Sequence, residues 1–244
     1  MSTRRRARAL LVGLAGVGLL AACDAGLGSR SGSARNADGF PAADRPVAHI
    51  VSSRWSTEEA RDRKNEAGEV MDKAGIKPGM TVADIGAGEG YYTIRLAERV
   101  GKEGRVLAED ILPAVRDMLA ERVVRERLQS VSVRLGKPAD PKLPENSFDR
   151  VLMVHMYHEI EQPYEFLWRM RPALMPDGLV IVVDANRPTQ NHGTPPALLK
   201  CEFAAVGYTQ VYTEDMPSAG GYLAAFRAQG ARPDPYAIKP CKVS

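Results

Sequence analysis

Short apolar runs alternate with amphipathic segments along most of this chain. Thr81–Ile85, Arg105–Asp110, Val131–Leu135, Phe148–Val154 and Leu179–Asp184 have the length and β-branched content of buried strands. Between them lie segments with helical spacing: Ser56–Ala74, Tyr92–Val100, Ala114–Leu128, residues near Tyr164–Leu174, and Pro196–Val206. Ser56 is a good N-cap, and glutamates follow it in the first turn. Tyr208–Thr213 and Tyr222–Arg227 follow as a terminal hairpin. The pattern predicts an α/β fold: a doubly wound, mostly parallel, seven-stranded sheet with right-handed crossovers and a C-terminal β-hairpin. In such a sheet ligands bind beyond the carboxyl ends of the strands, so the residues just after each strand are the informative ones.

The loop after the first strand is the strongest of these. Asp84-Ile85-Gly86-Ala87-Gly88-Glu89-Gly90-Tyr91-Tyr92 carries three alternating glycines into a helix start. Glycine serves where the chain turns sharply or where a ligand must meet the backbone without a Cβ in the way. The helix start adds unpaired N–H groups. The spacing is not the G-x-x-G ending of a dinucleotide fingerprint, so an NAD-dependent oxidoreductase is disfavoured.

After the second strand come Glu109 and Asp110, and an acid there can accept both hydroxyls of a ribose. After the fourth strand His155-Met156-Tyr157-His158-Glu159 is the densest group of reactive side chains in the chain. Histidine titrates near neutrality and suits a general base. His155 or His158 fits that role, with Glu159 orienting the ring and Tyr157 touching substrate. His192, near Asn186 and Arg187, is a further candidate wall. A metal reading of His-x-x-His-Glu is weaker, since it lacks the order and spacing of a zinc helix, and no metal is expected.

Asp84-x-Gly86-x-Gly88-x-Gly90 resembles the first motif of class I S-adenosylmethionine (SAM)-dependent methyltransferases, and RVLAED (105–110) resembles the end of their second. Leu143-Pro144-Glu145-Asn146-Ser147-Phe148-Asp149 and Met175–Asp184 resemble later motifs, with Asp177 in place of a glycine. The resemblance covers about residues 56–227. It implies a Rossmann-like methyltransferase fold and SAM as cofactor, held by Asp84, Gly86, Ala87, Gly88, Gly90, Tyr91 and Asp110, with Glu109 as the alternative ribose acid. Lys137 stands where the family has an adenine-binding Asp, so Asp140 either supplies that contact from a shifted position or serves to form its turn. The acceptor is expected to be a small molecule. More narrowly, the G-A-G-x-G-Y-Y-T loop resembles a group of predicted bacterial methyltransferases with an export signal.

Charge and cysteines add the setting. The formal charge of +3 comes from Arg4, Arg5, Arg6 and Arg8; without them 29 Lys+Arg face 30 Asp+Glu, a net −1, and no basic stripe argues for nucleic acid. Met1–Arg8 is basic, Ala9–Leu20 apolar, and Leu20-Ala21-Ala22-Cys23 resembles a lipobox. The expected organisation is a lipoprotein-type signal over 1–23, a flexible tether over 24–47, the main domain over 48–230 and an irregular tail over 231–244. The protein is thus expected to be exported and anchored to the membrane through lipid on Cys23. Cys201 and Cys241 could pair in an oxidising compartment, although a buried thiol plus a loose one is the expected arrangement. SAM is a cytosolic product, and export therefore keeps a second reading open: a non-catalytic envelope lipoprotein that uses the same fold to bind a nucleoside-like ligand or a protein partner.

Overall fold

A computed structural model describes residues 34–50 and 57–242, all within one unit spanning Ser33–Ser244. The signal, Cys23 and Ser56 lie outside the described residues. Seven strands form one sheet: β1 (Thr81–Ile85), β2 (Arg105–Asp110), β3 (Val131–Leu135), β4 (Phe148–Val154), β5 (Leu174–Asp184), β6 (Tyr208–Met216) and β7 (Gly221–Ala228). Their order is β3-β2-β1-β4-β5-β7-β6. The pairs among β1 to β5 are parallel, while β7 runs antiparallel to both β5 and β6. This is the expected doubly wound sheet with its terminal hairpin. The order reverses between β1 and β4, which opens a crevice at their carboxyl ends.

The unbroken apolar run of β5 follows from burial on both faces. Val180 and Val182 pack with Phe166, Leu167, Phe203 and Phe226 on one side. Ile181 and Val183 point the other way, toward Val70, Leu96, Val106 and Leu223, as the two-residue period of a strand requires. Phe203 and Phe226 stack with centroids 3.9 Å apart. Among the described residues six α-helices flank the sheet: α1 (Glu58–Asp62), α2 (Glu66–Lys73), α3 (Tyr91–Val100), α4 (Pro113–Arg125), α5 (Pro163–Met170) and α6 (Pro196–Ala205).

Among the boundaries that differ from expectation, three have a clear physical cause or register change. The helix expected over Ser56–Ala74 is two, because Asn65 takes a left-handed conformation (φ 52°) between them. Thr57 caps the first, accepting the Ala60 N–H at 3.3 Å. The helix at Tyr164 ends at Met170, since Pro172 lacks the N–H that would continue it. Finally, β5 begins at Leu174 rather than Leu179, its register against β4 shifting between Phe148 and Arg150.

Residues 34–48, all but the last expected within a tether, lie on the domain as a strap. Phe40 is buried and meets Trp168 edge-on, with centroids 5.5 Å apart. Arg35 donates to the carbonyls of Pro235 (2.9 Å) and Ile238 (2.8 Å), and Asn36 to Glu165 at 2.6 Å. Arg45 donates its Nε–H to Glu202 at 2.9 Å, both side chains being fully buried. Composition concealed this, because one aromatic and two arginines secure an otherwise Ala-rich stretch of small and polar residues. The tail is irregular but held: the Trp168 indole donates to Pro233 O (2.9 Å), and Cys241 forms a disulfide with Cys201. Among the described residues no helix is long and apolar enough to cross a membrane.

Candidate functional site

A cavity of about 930 Å³ opens at the carboxyl ends of the parallel strands, bounded by the glycine loop, the end of β2, the turn after β4 and the loop after β5. The loop owes its course to Gly86 (φ 67°), Gly88 (φ 57°) and Gly90 (φ 92°), which all occupy left-handed backbone that a side chain would strain. Two bonds fix it to β2. Ala87 N–H donates to Glu109 O at 2.9 Å, and Gly88 N–H donates to Asp110 Oδ2 at 3.1 Å. The second Asp110 oxygen accepts from Leu112 N at 2.9 Å. Asp110 therefore stands on the cavity with its orientation set by backbone.

Beneath the loop lie two further carboxyls. Asp84 accepts the Thr93 hydroxyl at 2.6 Å, and burial pushes its pKa up to about 6. Glu109 is 1% exposed, and its Oε1 has no partner among the described residues. Burial, and then the neighbouring Asp110, push its pKa up to about 8. Tyr91 lines the cavity, but its ring lies between the guanidiniums of Arg61 (3.7 Å) and Arg95 (3.9 Å) and its hydroxyl donates to Asp62 at 3.0 Å. It is part of the wall. Arg61 in turn donates to buried Glu66 at 2.6 Å, and Tyr92 donates to Glu66 at 3.0 Å.

Asp140 is not on the cavity. It accepts the Lys142 N–H at 2.8 Å and pairs with the Lys142 ammonium at 2.9 Å, closing its own turn. Its backbone bridges Lys137, so the expected adenine contact is not made from that position. Pro138 supplies this part of the wall. Sequence spacing could not separate a turn-forming Asp from a ligand-facing one.

The cluster after β4 divides. His155 takes φ 55°, ties its N–H to Val183 O at 2.8 Å and lines the cavity; burial lowers its pKa. Tyr157 faces away. It is fully buried, and its hydroxyl donates to Glu202 at 2.7 Å, beside Arg45. The expected substrate contact by Tyr157 is therefore corrected: it anchors the strap, and burial raises its pKa well above the usual value.

His158 is oriented, but not by Glu159. Its Nδ1 lies 3.1 Å from both oxygens of Asp184, the last residue of β5. Asp184 is fully buried and also accepts the Ala185 N–H (2.8 Å) and the Thr194 hydroxyl (2.7 Å). This pattern assigns the ring hydrogen to Nδ1 and leaves the Nε2 lone pair facing the cavity. Asp184 read in the sequence only as the end of a strand. The signal that marks it is its position, an acid at the carboxyl end of a central strand. Glu159, Arg187 and His192 also line the cavity, and His192 stands edge-on to His158 with centroids 5.4 Å apart.

The site thus has two ends: a loop and Asp110 suited to a nucleoside, and a histidine-rich end suited to a reacting group. Residues 83–182 match the family model described as a methyltransferase domain. The chain is 45% identical over 83 residues to nocamycin O-methyltransferase of Saccharothrix syringae, which covers 34% of this chain and 29% of that protein. It is 26% identical over 140 residues to demethylmenaquinone methyltransferase of Bacillus cereus, which covers 57% of this chain and 58% of that protein. The chain thus spans less than two-thirds of either relative. A SAM dependent methyltransferase from Aquifex aeolicus shares the fold with TM-score 0.60 and 21% identity, over 70% of this chain and 97% of that one. So does the [4+2]-cyclase SpnF, with TM-score 0.59 and 15% identity, over 77% and 88%.

Proposed function

We propose that this chain is a class I SAM-dependent methyltransferase that alkylates a small molecule. The observation that carries the reading is the pairing of Asp110 with the left-handed glycine loop, at the reversal point of a sheet whose residues 83–182 match a methyltransferase domain. Asp110 accepts from the ribose hydroxyls, and the loop lets the nucleoside lie against backbone. SAM supplies an electrophilic methyl carbon on a sulfonium.

The remaining work is alignment and proton removal. His155, His158, Glu159, Arg187 and His192 form the wall where the acceptor would lie, while Leu112, Val115 and Met118 give apolar lining near Asp110. The volume of about 930 Å³ is at the upper end of small-ligand pockets and suits a nucleoside plus a small acceptor. The curated relatives named above act on nocamycin and demethylmenaquinone, according to their names, which supports a small-molecule acceptor here. No observation on the cavity favours the non-catalytic alternative.

The proposed setting is extracytoplasmic, with the chain exported and anchored through Cys23. The Cys201–Cys241 disulfide supports it, since such bonds persist in oxidising compartments. Calorimetric titration of the full chain with SAM and S-adenosylhomocysteine tests the central reading. Micromolar binding that weakens in Asp110→Ala is expected. A folded protein that binds neither compound would overturn it.

A further inference from the structure

We propose that His158, His192 and Glu159 hold a divalent transition-metal cation at the acceptor end of the cavity, with one coordination position open to the acceptor. Their ligand atoms already lie within 4.8 Å of one another. A zinc-like cation with bonds of about 2.0–2.1 Å draws such atoms to roughly 3.4 Å apart, a change within reach of small side-chain rotations.

His158 is the strongest part of the argument. It is 1% exposed, and its Nε2 has no hydrogen-bond partner among the described residues. A buried polar atom left that way costs about 1–3 kcal/mol, so a native site that keeps one calls for an explanation. Here the atom is a lone pair aimed into a cavity, because Asp184 holds the hydrogen on Nδ1. A carboxylate behind a histidine, fixing its tautomer, is the arrangement that surrounds metal-bound imidazoles.

The same carboxylate also ties down the loop that carries the second histidine. Thr194, two residues after His192, donates its hydroxyl to Asp184 at 2.7 Å and its N–H to Ala185 O at 2.9 Å. Gly193 lies so close to that strand end that a Cβ would come 2.5 Å from Ala185 O. His192 itself sits in left-handed backbone (φ 57°), with its N–H on Thr189 O at 3.1 Å. Strained backbone of this kind gathers at functional sites. One buried acid thus sets the His158 ring in the loop after β4 and anchors the loop after β5 that carries His192. Glu159, next to His158, completes a His₂-carboxylate set.

That donor set selects the cation. Two imidazoles and one carboxylate suit Zn²⁺, Co²⁺, Ni²⁺ or Fe²⁺, whereas Mg²⁺ and Ca²⁺ take oxygen-only shells. Three protein ligands with an open position is the layout of a reactive centre rather than a structural one. Its use rests on the methyl-transfer reading. An acceptor hydroxyl or thiol on the open position has its pKa lowered and loses its proton to water. The oxygen or sulfur then donates its pair to the methyl carbon as the carbon–sulfur bond of SAM breaks toward sulfur.

The test uses the full chain, freed of metal with a chelator and kept without thiol reductants. Co²⁺ is titrated with visible absorbance as the readout, and Zn²⁺ by calorimetry, for the wild type, His192→Ala and Glu159→Gln. The expected result is one equivalent of each metal bound by the wild type with new visible bands. Affinity should fall at least tenfold in both variants, with circular dichroism unchanged. Absence of visible bands in the wild type, or equal affinity in the variants, overturns the proposal and leaves His158 as a metal-free base. SAM titration of the same samples separates the readings. Metal binding without SAM binding overturns only the methyl-transfer reading; the reverse overturns only the metal site.

Discussion

Asp110 accepts the N–H of Gly88 at 3.1 Å, so the acid at the end of β2 and the middle glycine of the β1 loop form one rigid element. Removing the carboxylate frees two backbone N–H groups, those of Gly88 and Leu112, and takes away the proposed acceptor for the ribose. Charge-assisted hydrogen bonds are each worth about 1.5–3 kcal/mol. Asp110→Ala is therefore expected to weaken SAM binding at least tenfold by calorimetry, and Asp110→Asn less. Gly88→Val should abolish it, because φ 57° excludes a β-branched residue.

Glu109 makes stability depend on pH. Its folded pKa of about 8 lies above the ordinary 4.5, so between those values the folded chain holds a proton that the unfolded chain has released. Stability contributed by this group is complete below about 4.5, declines as pH rises and is lost above about 8. Thermal melts of Glu109→Gln should flatten the decline and raise the melting temperature at pH 8. If the wild type and Glu109→Gln have parallel pH profiles, Glu109 is not buried as described.

The strap is tested at Glu202. Glu202→Ala strands the buried Arg45 guanidinium and the Tyr157 hydroxyl. Breaking a buried pair costs about 3–5 kcal/mol, whereas replacing both charges by apolar groups is often nearly neutral. Urea denaturation should thus find Glu202→Ala strongly destabilised and Arg45→Met/Glu202→Met much less so. A cost below about 1 kcal/mol would mean that the strap is not seated in solution.

The disulfide spans 40 residues, for which chain-entropy reasoning gives about 4 kcal/mol. Cys201→Ser/Cys241→Ser should unfold at lower urea by that order. Labelling of the denatured wild type with a thiol reagent should spare both cysteines; modification of both would place the protein in a reduced state.

The parts of the site legible in the sequence are those set by one residue's own backbone or by its place at a strand end. Gly86, Gly88 and Gly90 announce left-handed turns that few other residues accept, and Asp110 closes an apolar strand. What escaped reading depends on distant partners. His158 and Asp184 are 26 residues apart and meet only because β4 and β5 are neighbours. Tyr157 sits between two candidate histidines, yet turns to the core because Glu202 and Arg45 wait there. The strap reads as a tether because composition weighs fifteen residues equally, while Phe40 and Arg45 decide their position.

The strap also constrains the order in which the domain can complete itself. Arg45 meets Glu202 across 157 positions, and Arg35 meets Ile238 across 203. Contacts this distant in sequence form last, since a long loop must close before they contribute anything. The strap must therefore remain idle until Glu202 and Ile238 arrive, and only then does it seat beside α5 and α6. For a chain that crosses a membrane unfolded and amino end first, the closing step would come only after the carboxyl end has emerged. The strap and the Cys201–Cys241 bond then act as a clasp on a molecule whose cofactor half, from β1 to β2, can assemble from neighbours much earlier.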